Sequence, residues 1–99
     1  KLARTSRINK FEIDTHHFKG NYPDKCSIQA GYIPKKISNY SVLKKSAKWK
    51  FFLNKVKLKA NKKHIFNNRS MKQNKVNFIK VIIFPDGGIS RIRTFGKVV

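Results

Sequence analysis

Acidic residues are nearly missing from this chain of 99 residues. It holds 4 Asp plus Glu against 24 Lys plus Arg, a formal charge of +20. A compact body so charged repels itself, and it needs counterions or an anionic partner. The acids are Glu12, Asp14, Asp24 and Asp86, all inside the short motifs F-E-I-D-T, Y-P-D-K and F-P-D-G-G. An ordinary solvated surface mixes both signs. Cysteine is equally scarce. Cys26 stands alone, which excludes an internal disulfide framework and suits a reducing compartment. No apolar run approaches the ~20 residues of a membrane span, and no signal-like stretch opens the chain. A start on Lys1 rather than Met reads as a processed or partial sequence. No segment shows a helical period with caps. What is present is a 39% share of hydrophobic residues, too much for a disordered tail. The length allows one small domain with a thin core.

The apolar pattern is that of strands. Residues 6–14 put Phe11 and Ile13 on one parity, and Ile8 on the wrong one, so a bulge is expected. Residues 15–25 carry Gly20, Asn21, Pro23 and Asp24 and read as a loop. Residues 26–33 alternate as a second strand. Residues 34–48 read as a surface excursion, and 61–76, rich in Asn, as another loop. In 49–60, Lys55, Lys57 and Lys59 alternate with Val56 and Leu58, a lysine ladder with a spacing of about 7 Å. Phe78–Phe84 is a β-branched run of the buried-strand type. The turn Pro85-Asp86-Gly87-Gly88 then predicts a β-hairpin with residues 89–99. The fold class is antiparallel all-β, a sandwich rather than a barrel.

Two stretches resemble a known family. E-I-D-T-H-H-F-K-G-N-Y-P-D-K-C-S-I-Q-A (12–30) looks like the allantoicase motif E-V-D-T-x-H-F-K-G-N-F-P-D-x-C-x-(apolar)-x-A. F-I-K-V-I-I-F-P-D-G-G-I-S-R-I-R-T-F-G (78–96) looks like that family's segment around Y-P-D-G-G-(apolar)-x-R-(apolar)-R-x-(aromatic)-G. Trp49, Phe52, Leu53, Leu58 and His64 fall where the family places similar residues, although Asn54 replaces its usual Pro. The resemblance implies a jelly-roll β-sandwich similar to galactose-binding domains. It also implies descent from enzymes of two tandem repeats that hydrolyse allantoate to ureidoglycolate and urea. Residues 1–99 then form a single module of the C-terminal type, lacking its first strands on the N-terminal side.

Several groups carry candidate chemistry. Asp14, His16 and His17 lie together at a strand end, and His64 arrives from another segment. Hydrolysis of a ureide needs an activated water and a proton for the leaving nitrogen. Asp14 as base, with His16 or His64 as donor, would supply them. The spacing is not a metal pattern, and no cofactor is expected. Arg91 and Arg93 share a strand face and suit a clamp for a substrate carboxylate or a phosphate. Asp24 and the glycines read as turn chemistry, and Cys26 as a small buried residue.

The lysines point elsewhere. Lys44, Lys45, Lys48, Lys50, Lys55, Lys57, Lys59, Lys62 and Lys63 crowd one stretch without an acid, as phosphate contacts require. The expectation they carry is a non-catalytic RNA-bound structural protein of allantoicase-like fold. Its partners would be rRNA and neighbouring proteins of a large assembly such as the mitochondrial ribosome, with no membrane. The alternative is an allantoicase or a fragment of one, cytoplasmic, whose partner is a second repeat. A sugar-binding module is a weaker third possibility, since no aromatic platform is visible.

Overall fold

The structure, a computed structural model, describes residues 1–68 and 74–99. Residues 69–73, within the segment expected to be a loop, lie outside the described residues. Strand β1 (Ser6–Asp14) is the hub of one sheet. On one side it pairs antiparallel with β7 (Arg91–Val98). On the other it pairs with β4 (Lys63–Asn67) through Lys10–Asp14 and with the short β5 (Lys75–Val76) through Ser6 and Arg7. The second sheet centres on β2 (Lys25–Gly31), flanked by β3 (Lys50–Lys57) and β6 (Phe78–Phe84). This is the antiparallel sandwich that the alternation predicts.

Period-two burial explains the packing. In β1, Phe11 and Ile13 are fully buried, and Ile8 is 3% exposed despite its parity. The β1–β7 register shifts between Ile8 and Lys10, so a bulge restores Ile8 to the core face, as its position requires. Across the sandwich, Cys26, Ile28 and Ala30 of β2 face inward. Phe11 meets Phe52 edge-to-face, with ring centroids 4.6 Å apart, and ties the sheets together. Cys26 is a free, buried thiol. Loss of hydration pushes its thiol from 9.0 up to about 11.

Four expectations are corrected. The stretch 61–76, read as a loop, carries the strands β4 and β5, both paired with β1. Phe78–Phe84 and Arg91–Val98 are not a hairpin: β6 pairs with β2 and β7 with β1, in different sheets. The Pro85–Gly88 turn, entered through a cis Phe84–Pro85 bond, therefore carries the chain from one sheet to the other. Strand β6 is half-buried along its whole length rather than buried, because only its β2 side is paired among the described residues. The segment read as an excursion contains a helix, α1 (Asn39–Ser46). Ser38 caps it, accepting a hydrogen bond from the Ser41 amide, and Lys44 and Lys45 sit at its C-terminal end, where the helix dipole favours cations.

Candidate functional site at the sheet end

The two motifs of the sequence fold against each other. After β1 the chain turns at Thr15, whose side chain is fully buried. Its hydroxyl donates to the Lys59 carbonyl at 2.6 Å and accepts from the Lys62 amide at 3.0 Å. The loop after Thr15 then meets the segment before β7. The Gly88 amide donates to the Asn21 carbonyl at 2.8 Å. A side chain at Gly88 would run into the Phe18 ring, and one at Gly87 (φ +139°) into the backbone of Tyr22 and Pro23. Ser90 donates to the Asp14 carbonyl from both its amide and its hydroxyl, at 2.8 and 2.9 Å. Turn residues thus serve to seat the beginning of β7 beside the end of β1.

That seating gathers Asp14, His16, His17 and Arg91. Asp14 Oδ1 accepts the His16 amide at 2.8 Å, which fixes the carboxylate over the turn. His16 and His17 are exposed, their rings 3.9 Å apart between centroids. His17 takes a left-handed φ of 74°, unusual for a residue with a side chain, and its amide is tied to Asn61 Oδ1 at 2.9 Å. Asp14 stands opposite Arg91 on β7 and opposite Lys63 on β4. One step further along the same face, Glu12 stands opposite Arg93 and Ile65. Arg93 Nε lies 3.6 Å from Glu12 Oε2, and Glu12 is 5% exposed. On this face Asp14 therefore stands between cations on both neighbouring strands, and Glu12 between Arg93 and the apolar Ile65.

His64 is not brought to this face. It pairs with Ile13, so alternation turns its side chain inward, away from that of Asp14. It is buried. Its Nε2 accepts the Lys59 amide at 2.9 Å, and its Nδ1 lies 3.0 Å from the Ile13 carbonyl, which requires a proton on Nδ1. A ring engaged by backbone at both nitrogens has no proton to offer a substrate. Glu12 and Ser90 are the members that sequence reasoning missed. The signal for Glu12 was available, since it shares parity with Asp14. Among the described residues, no group of three or more His, Cys, Asp or Glu side chains is placed to hold a metal ion.

The nine lysines do not converge. Lys44, Lys45 and Lys48 lie at the end of α1, Lys50, Lys55 and Lys57 along β3, and Lys59, Lys62 and Lys63 around the following turn. All are exposed. Strand β3 is paired only with β2 among the described residues, and lysines on such an edge keep a further strand from adding. Lys55 also rests its ammonium 4.1 Å from the centroid of the Phe84 ring. Lys63, opposite Asp14, is the one that reaches the candidate site.

Comparison with known proteins identifies the family. The family model for the allantoicase repeat matches residues 1–99. The chain is similar to a probable allantoicase of Stutzerimonas stutzeri, 43% identical over 98 residues, which covers 99% of this chain and 29% of that protein. Probable allantoicase 1 of Burkholderia mallei is 42% identical over 97 residues, covering 98% and 28%. Among solved structures, that of Saccharomyces cerevisiae allantoicase superposes with a TM-score of 0.72 at 28% identity, covering 94% of this chain and 24% of that one. A second allantoicase structure gives a TM-score of 0.76 at 30% identity, covering 98% and 26%. The chain thus spans less than a third of the length of its curated relatives. These matches overturn the expectation of an RNA-bound ribosomal protein in the mitochondrion. Relatives and solved structures alike are allantoicases, and the charge that prompted that expectation is scattered along a helix end, a strand edge and a turn. By its fold and by a match along its whole length, the chain belongs to the allantoicase repeat family.

Proposed function

We propose that this chain is one repeat of an enzyme that hydrolyses allantoate to ureidoglycolate and urea. The observation that carries the proposal is the face formed by β1 and β7, with Asp14 opposite Arg91 and Glu12 opposite Arg93. Paired residues of antiparallel strands lie about 5 Å apart, so one small ligand can touch Asp14, Arg91 and Arg93, while Glu12, 5% exposed, lies behind Arg93. Allantoate offers a carboxylate to the arginines and ureido N–H groups to Asp14.

The products fix the bond that breaks. Urea leaves whole, so the bond between the central carbon and a ureido nitrogen is cut, and the oxygen of water ends on that carbon. Asp14 takes the proton from the attacking water. His16, whose amide is already held by Asp14, returns a proton to the departing nitrogen. Arg91 and Arg93 hold the carboxylate and so place the central carbon beside Asp14. No step in this scheme calls on His64 or on a metal. The test is urea release from allantoate by the longest protein that the gene encodes. Release supports the assignment, and its absence with folded protein refutes it.

Support for a larger assembly comes from length and from open edges. The relatives are more than three times as long as the part they share with this chain. Strand β7 is exposed throughout, and β6 has an unpaired side among the described residues. Further strands on the N-terminal side would cover both edges and complete the sandwich of residues 1–99, and a second repeat would complete the enzyme. The cytoplasmic setting fits better than a mitochondrial one, since these relatives include bacterial proteins.

A further inference from the structure

The pair formed by Glu12 and Arg93 has a feature that a simple surface ion pair lacks. Glu12 is 5% exposed, and its Oε2 has no hydrogen-bond partner. Yet its partner Arg93 keeps 48% of its side chain exposed. The contact is made by Arg93 Nε at 3.6 Å. The contact is thus made by the guanidinium nitrogen nearest the chain, and about half of the Arg93 side chain stays open to a ligand. A free arginine on a strand surface samples many rotamers, and ordering it costs binding energy when a ligand arrives. A buried carboxylate beside Nε restricts that sampling in advance.

We infer that Glu12 is a positioning residue for the substrate carboxylate, acting through Arg93. The inference rests on the proposed allantoate reaction and names the geometry of its anion site. Arg93 presents its terminal fork to the carboxylate. Arg91, two residues along the same face and about 7 Å away, supplies a second donor. Asp14 stands opposite Arg91, so a carboxylate held between the arginines leaves its neighbouring carbon at the catalytic end of β1.

The sign of the effect separates positioning from charge. The negative charge of Glu12 opposes anion binding, so removing it would strengthen binding if charge alone mattered. This chain carries a formal +20 and does not lack attraction for anions. Orientation is the scarcer commodity. The substitution Glu12→Gln keeps the shape of the side chain and removes the charge that holds Nε. The KM for allantoate is expected to rise about tenfold while kcat changes little, since a displaced clamp loses placement before it loses chemistry. Arg93→Lys, which keeps the charge and lacks the fork, is expected to raise KM similarly. In the Arg93→Lys background, Glu12→Gln should add little, because both changes remove one interaction.

Urea release is measured with the longest protein that the gene encodes, and the melting temperature of each variant is recorded alongside. An unchanged or lowered KM in Glu12→Gln overturns the inference. So do additive effects in the double variant, or a loss of kcat that merely follows a loss of folded protein. If Arg93→Lys raises KM and Glu12→Gln does not, the anion site stands and the positioning role falls. If the unaltered protein releases no urea from allantoate, the proposed reaction falls and this inference with it.

Discussion

Replacing His64 by alanine removes the ring that satisfies two backbone groups inside the sandwich. The Lys59 amide loses its acceptor at 2.9 Å and the Ile13 carbonyl its partner at 3.0 Å. A buried polar group left unpaired costs about 1–3 kcal/mol. The Ile13 carbonyl keeps its place opposite residue 64 in the β1–β4 ladder, so the Lys59 amide is the group left unpaired; with the space left by the ring, the expected loss is about 2–4 kcal/mol. That is a large part of the roughly 5–15 kcal/mol that holds a domain of ordinary stability. Chemical denaturation measures it, with guanidinium chloride rather than urea as denaturant, since urea is the proposed product. The slope for small proteins is about 2–6 kcal/mol per molar, so the midpoint should fall by about 1 M. Glutamine, which can still accept from Lys59, should recover part of the loss. An unchanged midpoint would refute the structural role assigned to this ring. An unchanged midpoint with lost urea release would instead place His64 in the chemistry.

Cys26 should react with a thiol reagent at pH 8 only after unfolding, because burial holds its thiol at about 11; rapid reaction of the native protein would contradict this. The same shift makes stability pH-dependent. Above the ordinary value of 9.0 the unfolded chain releases a proton that the folded one retains, so stability should fall between pH 9 and 11 and do so less in Cys26→Ala. Gly88→Ala drives a methyl group into the Phe18 ring. It should lower stability by about 1–3 kcal/mol and reduce urea release by more than the folded fraction explains, because the loop that carries His16 and His17 must shift. Denaturation and initial rates on the same preparation check both parts.

Much of the framework is legible in the sequence because burial imposes a period of two. Ser6–Asp14 and Phe78–Phe84 stand at the expected residues, and the odd parity of Ile8 announces its bulge. The turn at Pro85–Gly88 is legible as a turn. Its consequence is not, since turn chemistry says that a chain reverses and not which strand it next joins. Helix α1 escapes the reading because it is eight residues long, with Tyr40 70% and Leu43 66% exposed, so it shows little apolar stripe. His64 shows a similar limit. Its residue type invites a catalytic role, while its register opposite Ile13 faces it inward, and register is a property of strand pairing. The lysines mislead for a related reason: crowding in the sequence becomes dispersion in space once a helix, an edge strand and a turn divide them.

The most direct test compares urea release from allantoate by the unaltered protein, by Asp14→Asn, and by a variant with Lys55 and Lys57 both changed to Gln. Loss of a general base slows a reaction about 10²–10⁴-fold, so Asp14→Asn should fall in kcat by that order with its fold intact. The lysine variant should keep its rate, because its changes lie on the edge strand of the other sheet. Full activity in Asp14→Asn, or loss of activity in the lysine variant alone, would contradict the placement of the reaction at the end of β1.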